Sequence, residues 1–475
     1  MSSVRQKGLL ARDLLKRFAR SKQCCPHHAA GDGGPVCVAR PVGNTAKGNT
    51  DYAFEFASAT LRYGRGVTAE IGHDLKNWGV KKTLVVTDKN VAKTRAFKEV
   101  VDSLTRQKVP FSVFENVKIE PSHTSLTEAI EFARKAGVDS FVGVGGGSAM
   151  DTAKAAALLN NNLDFELLDF VNAPFGRQIK PPNPMLPMIA VPTTAGTGSE
   201  MTTAAVLDLP ERQCKSTLRH RSLRPLLAVI DPLNVMSMPR NVAIYTGFDV
   251  LCHALESYTL KEFDMRVPRP SQPDHRPAYQ GANPISDVWA REALQIISKY
   301  FRRAVNNPDD EEARAEMMKA SSFAGMGFSN AGVHLCHALC YPISSIGKTY
   351  VDKDYDKQPL IPHGLSVVTT AVADFLFTTD ANPERHAQAA RWLGADIPIS
   401  AKNDYIAQKL TDEIRGFMSD FGVPNGLSAL GFTRANVDEL TESANGSMKA
   451  YSALCPKDTD RDIIAGLYEQ SLTVY

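Results

Sequence analysis

The 475-residue chain lacks an excess of charge of either sign, because 54 Lys and Arg residues face 52 Asp and Glu residues. Overall charge therefore gives no support to nucleic-acid binding. No apolar run reaches the roughly 18 residues of a membrane-spanning helix, so no membrane span is predicted. Eight cysteines are too few for a dense disulfide framework in so long a chain and favour a reducing compartment. A hydrophobic share of 43% excludes a disordered or collagen-like chain.

The first two dozen residues are short of acids, since seven Lys and Arg residues are opposed there by Asp13 alone. Leu10, Leu14 and Phe18 recur at helical spacing, and basic residues recur on the opposite face. A basic, acid-poor amphipathic start is typical of a mitochondrial transit peptide, which predicts a location in the mitochondrial matrix. A surface helix or a basic arm is the alternative. We interpret residues 1–48 as transit peptide and linker.

Strand-like and helix-like patterns alternate from residue 51 to about residue 232, and strand-like runs nearly vanish afterwards. Alternation of this kind predicts a Rossmann-like α/β domain with a parallel sheet, whose ligands bind at the carboxyl ends of the strands. We expect this domain over residues 49–235 and an all-α domain over residues 236–475. The predicted strands are residues 83–87, 111–114, 140–144, 188–191 and 226–230.

A glycine-rich loop of Gly145, Gly146, Gly147 and Ser148 follows the third predicted strand and opens a predicted helix. Glycines let backbone N–H groups approach a phosphate, and the helix N-terminus adds a partial positive charge. The loop therefore predicts a site for the phosphates of a dinucleotide. A tight turn from strand to helix is the alternative.

A second polar loop follows the next predicted strand. Its hydroxyl groups include those of Thr193, Thr194 and Thr197, which are candidate contacts to phosphate or ribose. A polar turn with a helix cap explains the same residues without a ligand.

Three charged residues are further candidates for cofactor binding. Asp88 closes the first predicted strand, where an acid can accept hydrogen bonds from a ribose 2′-OH and favours NAD over NADP. The chain lacks the G-x-G-x-x-G fingerprint at that turn, and a helix N-cap is nearly as good an interpretation. Asp151 and Lys215 are weaker candidates, because their only support is nearness to the loops in sequence, and either could equally be a surface charge.

Candidate metal ligands lie in the helical half. Asp249 and His253 are four residues apart, which places them on one helix face, and His334, His337 and His363 follow downstream. One carboxylate with three imidazoles would suit Fe²⁺ or Zn²⁺, because both accept mixed nitrogen and oxygen ligands. A surface pair or a core histidine with satisfied hydrogen bonds is the alternative.

Together these motifs resemble the iron-containing (group III) alcohol dehydrogenases, in the order typical of that family and from about residue 60 to the C-terminus. The resemblance implies an NAD-binding α/β domain and an all-helical metal-binding domain. It also implies metal ligation by Asp249, His253, His337 and His363. The matching segments are residues 145–148, 193–200, Gly247-x-Asp249-x-x-x-His253-Ala-x-Glu256, Asn283-Pro284 with Asp287, and Pro362-His363-Gly364.

Within the family, residues 248–258, 276–287, 332–337 and 341–344 are most similar to mitochondrial members that act on hydroxy acids and oxo acids. This implies oxidation of 4-hydroxybutyrate to succinate semialdehyde, coupled to reduction of 2-oxoglutarate to D-2-hydroxyglutarate, with NAD retained through the cycle. The implied partners are these small molecules, and a homodimer is the candidate assembly. An ordinary NAD-dependent alcohol dehydrogenase and a lyase similar to dehydroquinate synthase are the alternatives.

Tyr341 departs from the family pattern, because many members carry a histidine near the nicotinamide at this position. A tyrosine can donate a hydrogen bond, but its reference pKa of about 10 makes it a poor proton acceptor at neutral pH. We predict catalytic roles for Tyr341 and for the ligand His337.

The segment of residues 263–280 is a second departure, because it is longer than in simple alcohol dehydrogenases of the family. It contains Arg266, Arg269 and Arg276. Guanidinium groups pair well with carboxylates, and both implied substrates are acids. We therefore expect one of these arginines to bind the substrate carboxylate, and a solvated loop is the alternative.

Overall fold

A computed structural model describes residues 49–355, 358–451 and 453–475. The predicted transit peptide and linker, residues 1–48, lie outside the described residues.

Six parallel strands form the sheet of the N-terminal half, in the order β1-β8-β5-β4-β2-β3. The five predicted strands are confirmed to within one or two residues, and the first strand was not predicted. The sheet and the helical half that follows it confirm the predicted fold class. The six strands are β1 Thr60–Tyr63, β2 Thr83–Val86, β3 Phe111–Phe114, β4 Ser140–Gly145, β5 Met188–Pro192 and β8 Leu227–Ile230.

Helices cover both faces of this sheet, because successive side chains of a strand point to opposite sides. In β2, Leu84 and Val86 belong to one buried cluster, which includes residues of the helices His123–Ala136 and Gly147–Leu159. Val85 belongs to a second cluster on the other face, with residues of the helices Ile71–Asn77 and Arg95–Gln107. The helices of this half are α1 Ile71–Asn77, α2 Arg95–Gln107, α3 His123–Ala136, α4 Gly147–Leu159 and α5 Leu167–Phe170.

An antiparallel hairpin lies outside the main sheet. It consists of β6, Ala204–Leu209, and β7, Cys214–Arg219, with Val206 opposite Thr217. The hairpin was not predicted from the sequence, because β7 contains few of the apolar residues that favour strands. Nevertheless, all but the last residue of β7 are buried.

The C-terminal half is helical, and no named strand follows β8 in the part of the chain that the structure describes. Among these residues, no helix has both the length and the apolarity required to cross a bilayer. The five cysteines of the described residues, one on β7 and four in the helical half, are all buried and form no disulfide with one another. The helices are α6 Arg240–Thr259, α7 Pro284–Asn306, α8 Glu311–Ala331, α9 Leu335–Ile346, α10 His363–Thr378, α11 Pro383–Leu393, α12 Asn403–Phe421, α13 Gly426–Ala429, α14 Val437–Tyr451 and α15 Arg461–Gln470.

Arg314 ties the helical half to the end of the α/β half. It lies on α8, is 1% exposed, and donates hydrogen bonds to the carbonyl oxygens of Val235, Met238 and Ala304 at 2.9–3.1 Å. A buried guanidinium is costly unless its donors are satisfied, and here carbonyl groups of the connecting segment satisfy them.

Replacing Arg314 with Met should therefore lower the free energy of unfolding by about 3 kcal/mol, since buried carbonyl groups lose a charged donor. Urea denaturation followed by circular dichroism measures the change. Arg291→Met is the matched control, because within the described residues Arg291 forms a surface ion pair with Glu292 alone, and it should cost less than about 1 kcal/mol. Equal stability of the two variants would contradict the proposed role of Arg314.

Candidate active site

Three strand ends lie side by side at the carboxyl edge of the sheet. The chain runs outward from β2 to β3 and then returns to β4 on the other side of β2, and a reversal of this kind marks the ligand crevice of open α/β sheets. Asp88 follows β2, and its Oδ2 lies 3.7 Å from the position that a Cβ on Gly145 would take. The backbone N–H of Thr193, after β5, donates to the carbonyl oxygen of Gly145 at 3.0 Å.

Asp88 also caps the turn that follows it. Its Oδ1 accepts hydrogen bonds from the backbone N–H groups of Asn90 and Val91 at 2.8 and 2.9 Å. Asp88 can therefore cap this turn and also face a ligand in the crevice, since the cap uses Oδ1 and Oδ2 lies near Gly145.

The two predicted loops contact each other. A Cβ on Gly147 would lie 2.7 Å from the side chain of Thr197, and a Cβ on Gly146 would lie 3.3 Å from that of Thr194. Because these glycines lack side chains, the N-terminus of α4 stays open toward the crevice. This cradle of backbone N–H groups fits the pyrophosphate of a dinucleotide.

A cavity of about 870 Å³ lies between the two halves. Of the predicted site residues, Asp88, Gly145, Gly146, Thr193, Thr194 and the three arginines do not line it. Those that line it are Gly147, Ser148, Asp151, Thr197, Lys215, Asp249, His253, His337, Tyr341 and His363.

Asp151 and Lys215 are both buried, so neither is a solvated surface charge. The Asp151 carboxylate accepts hydrogen bonds from the Ser199 hydroxyl at 2.6 Å and from the Val206 N–H at 2.9 Å, which holds the hairpin against α4. Lys215 Nζ lies 2.7 Å from a carboxylate oxygen of Glu120. Within the cavity wall, Lys215 is thus paired with an acid.

Four predicted ligands from three helices converge at one end of the cavity. Asp249 and His253 lie on α6, His337 on α9, and His363 is the first residue of α10. From Asp249 Oδ1 the distances are 3.4 Å to His337 Nε2, 3.6 Å to His363 Nε2 and 3.7 Å to His253 Nδ1. Donors around an ion with bonds of about 2.1 Å are separated by roughly 3.4 Å, so this spacing fits a divalent metal.

Hydrogen bonding supports the same conclusion. Asp249 Oδ1, His253 Nδ1 and His337 Nε2 are buried and have no hydrogen-bond partner in the described part of the chain. Buried polar atoms are normally paired, and one cation would satisfy all three. Burial lowers the pKa of His253 to about 3 and that of His363 to about 4. Both rings are therefore neutral at neutral pH, in the form that binds a metal.

Glu256 orients one of the ligands. Its Oε1 accepts the backbone N–H groups of His334 and His337 at 2.9 and 3.2 Å, and its Oε2 contacts His337 Nδ1. Burial disfavours a charged His337, but the carboxylates of Glu256 and Asp249 outweigh it and raise the pKa of this ring. Such a carboxylate fixes the ring and increases its basicity toward a metal. Glu256 belongs to the motif that contains Asp249 and His253, but its role depends on a contact with the distant His337 and is not visible in the sequence.

His334 does not join this group and does not line the cavity. Its Nε2 lies 3.0 Å from Thr259 Oγ1, and its Nδ1 lies 3.1 Å from Asp374 Oδ2. Both ring nitrogens face protein partners, which is the arrangement of a structural histidine.

The glycine after His363 permits the approach of α10 to α6. A Cβ on Gly364 would stand 1.8 Å from the carbonyl oxygen of Tyr245 and 3.3 Å from the Cβ of Asp249. No side chain fits in this space. Glycine is therefore required sterically at the third position of the Pro-His-Gly motif. Gly364 lets α10 start close enough to α6 for His363 to reach Asp249.

Tyr341 lies beside the ligands, with its ring centroid 6.5 Å from that of His363. Its hydroxyl is 3.0 Å from the hydroxyl of Tyr451. Burial raises the pKa of Tyr341 well above its usual value. The group therefore stays protonated at neutral pH and can act as a hydrogen-bond donor.

The three arginines expected to bind substrate lie elsewhere. Arg266 Nη2 is 2.6 Å and Arg276 Nη2 is 3.0 Å from the buried carboxylate of Asp51. Arg269 Nε donates to the carbonyl oxygen of Thr50 at 3.0 Å. The expected substrate role is not supported, because these guanidinium groups bind the segment before β1 and none lines the cavity.

Arg219 is the cationic residue of the cavity wall that sequence analysis missed. Lys215, Thr217 and Arg219 alternate along β7, and all three line the cavity. A period of two places such residues on one face of a strand. This alternation is the signal that could have identified Arg219 once the hairpin was recognised.

Replacing Gly364 with Ala should displace α10 and reduce the bound metal per chain by more than half, since overpacking of this kind costs about 1–3 kcal/mol or more. Plasma mass spectrometry after dialysis against metal-free buffer measures the occupancy. Gly466→Ala is the matched control, because a Cβ there meets no atom within 4 Å. Full occupancy in Gly364→Ala would overturn the steric argument.

Replacing Asp51 with Asn should lower the free energy of unfolding at pH 7 by about 2 kcal/mol, because it removes the buried carboxylate that pairs with two partly buried guanidinium groups. Burial opposes the charge of Asp51, but Arg276 and Arg266 outweigh it and lower its pKa. The stabilisation is therefore present at neutral pH and is lost as the pH falls below about 3.9.

Urea denaturation measures this effect, with Asp458→Asn as the control at an exposed ion pair. The Michaelis constants of the Asp51→Asn enzyme should stay within twofold of wild type. A large rise in the Michaelis constants would contradict the structural role of these arginines and would support substrate binding by them.

Comparison with known proteins agrees with this geometry. Residues 58–232 match the family model described as iron-containing alcohol dehydrogenase, and residues 278–472 match its C-terminal counterpart. A Caenorhabditis briggsae protein named "Hydroxyacid-oxoacid transhydrogenase, mitochondrial" is 60% identical over 98% of this chain and 99% of its own length. A Bos taurus protein of the same name is 46% identical over 97% of this chain and 98% of its own length. These names agree with the predicted mitochondrial location.

Solved structures show the same fold. The crystal structure of 1,3-propanediol oxidoreductase superposes with a TM-score of 0.76 at 26% identity, covering 88% of this chain and all of that one. An archaeal alcohol dehydrogenase from a Red Sea brine pool also gives 0.76 at 26% identity, covering 90% of this chain and all of that one. The chain is an oxidoreductase that belongs to the iron-containing alcohol dehydrogenase family, whose members use NAD and a divalent metal.

Proposed function

We propose that this enzyme transfers hydride from 4-hydroxybutyrate to 2-oxoglutarate through bound NAD, in the mitochondrial matrix. The products are succinate semialdehyde and D-2-hydroxyglutarate. The observation that carries the proposal is one cavity that joins three features: the buried metal donor set, the glycine loop and the cationic side chains of Lys215 and Arg219. Relatives named for hydroxy-acid and oxo-acid transhydrogenation support the same substrates.

The reaction balances without a net change of cofactor. The primary alcohol of 4-hydroxybutyrate loses a hydride and a proton and becomes an aldehyde. The ketone of 2-oxoglutarate gains a hydride and a proton and becomes a secondary alcohol. The full cycle would therefore leave bound NAD in its oxidised form and would not require its release from the protein.

Asp249, His253, His337 and His363 would hold the metal, and their mixed oxygen and nitrogen donors suit Fe²⁺ or Zn²⁺. When bound, the metal supplies Lewis acidity to the substrate oxygen, and NAD accepts and returns the hydride. Glu256 holds the His337 ring in the orientation that turns Nε2 toward the cavity.

The α/β half, residues 49–235, would bind NAD, and the helical half, residues 236–475, would hold the metal. The pyrophosphate would lie against the N–H groups of residues 145–148 at the start of α4, with hydroxyls of Thr193, Thr194 and Thr197 nearby. Asp88 would accept hydrogen bonds from a ribose, and Lys215 would face the cofactor from β7.

Tyr341 would position the substrate oxygen by donating a hydrogen bond. Burial keeps its hydroxyl protonated, so proton removal falls to another group. His337 would act in the same step only as a metal ligand, because Glu256 engages its Nδ1 and its Nε2 faces the other metal donors.

Purified protein incubated with 4-hydroxybutyrate and 2-oxoglutarate, without added NAD, should form D-2-hydroxyglutarate and succinate semialdehyde in equal amounts. Chiral chromatography with mass spectrometry measures both products. His363→Ala is the matched negative control and should lose both the metal and the activity. Turnover of 4-hydroxybutyrate only when NAD is added would instead identify an ordinary NAD-dependent alcohol dehydrogenase.

A further inference from the structure

Two cationic side chains face the cavity from β7, and their surroundings differ. Lys215 is paired with Glu120 at 2.7 Å. Within the described residues, no carboxylate lies within ion-pair distance of Arg219, and its buried Nε has no hydrogen-bond partner. A partly buried guanidinium with a buried, unsatisfied Nε and no counterion is costly, so this side chain is suited to an anionic ligand.

Aromatic residues hold the Arg219 guanidinium in place. Its Cζ lies 4.0 Å from the ring centroid of Tyr279 and 5.4 Å from that of Tyr451, and its Nη2 donates to the Tyr451 hydroxyl at 3.1 Å. Stacking on an aromatic face stabilises the cation but leaves in-plane N–H donors available. The group is therefore pre-organised to bind a carboxylate.

A chain of side chains links this guanidinium to the metal donors. Tyr451 contacts Arg219 on one side and the Tyr341 hydroxyl at 3.0 Å on the other. Tyr341 in turn lies beside His363. Phe328, stacked on the ring of His253 with centroids 3.9 Å apart, adds an apolar wall. The cavity wall thus combines a cation, the metal donor set and an apolar surface that suits methylene groups.

The proposed substrates share the matching pattern. In 4-hydroxybutyrate two methylene groups separate the reacting carbon from the carboxylate. In 2-oxoglutarate two methylene groups separate the reacting ketone carbon from the distal carboxylate. 2-Oxoglutarate is therefore succinate semialdehyde with a second carboxylate in place of the aldehyde hydrogen, and one anchor at a fixed distance can serve both.

We propose that Arg219 binds the carboxylate that lies two methylene groups from the reacting carbon in both substrates. This inference rests on the proposed function for the identity of the substrates. A shared anchor explains how one cavity accepts an alcohol donor and a ketone acceptor of different size. Arg219 thus takes the carboxylate-binding role that the sequence predicted for an arginine of residues 263–280.

The test compares Arg219→Met, Arg219→Gln and the control Arg212→Met in the purified, metal-loaded enzyme. Arg212 lies on the turn of the same hairpin, is exposed and does not line the cavity. Loss of a charge-assisted fork should weaken 2-oxoglutarate binding, measured by calorimetry, by about 100-fold in both Arg219 variants. The Michaelis constant for 4-hydroxybutyrate should rise by a similar factor, and Arg212→Met should match wild type.

Circular dichroism and metal content show which Arg219 variants are folded. One folded variant is enough for the binding test. Wild-type affinity for 2-oxoglutarate in a folded Arg219 variant would overturn the proposal, as would weaker binding of only one of the two acids. The calorimetric readout does not need turnover. If wild type binds 2-oxoglutarate but transfers no hydride to it, the proposed function fails, and the Arg219 assignment is still decided by the affinities.

Discussion

The carboxylate of Asp249 is the group on which the site depends. It is 2% exposed, and an isolated carboxylate at such a depth would be strongly disfavoured. Three imidazole rings from α6, α9 and α10 surround it, and each places a nitrogen 3.4–3.7 Å from Oδ1. This arrangement requires the three helices to meet at one point, and their close approach in turn explains Gly364, where no side chain would fit.

The second constraint is the position of the β6–β7 hairpin. It extends beyond the main sheet and forms one wall of the cavity, with Asp151 on α4 accepting a hydrogen bond from the Val206 N–H. Because alternate residues of β7 face the same side, one strand presents both Lys215 and Arg219 to the ligands. The cationic groups proposed to face the cofactor and the substrate therefore lie in the α/β half, and the proposed metal donors lie in the helical half.

Burial affects ionisable groups of the cavity in ways that suit their proposed roles. It lowers the pKa of His253 and His363, which keeps these rings available as ligands, and it raises the pKa of Tyr341, which keeps its hydroxyl a donor. His337 differs because Glu256 lies against its second nitrogen and raises its pKa. Side chains of the same type thus differ in pKa because their neighbours differ.

Local sequence patterns were enough to predict five of the six parallel strands and the change to a helical half, whereas the set of four candidate metal ligands rested on the family resemblance. Strand propensity, glycine after a strand and helical spacing are local properties, and the family motifs added the pairing of distant histidines. The hairpin was missed because its sequence is polar and its burial comes from contacts with distant elements. Arg219 was missed with it.

The three arginines of residues 263–280 show the limit of the same reasoning. Their sequence neighbourhood favours carboxylate binding, but Asp51, more than 200 residues earlier, provides the carboxylate for two of them. The sequence by itself determined which residue types were available for metal, phosphate and carboxylate. Only the tertiary structure decided which cation was already paired and which faced the cavity, because pairing depends on distances between residues far apart in the chain.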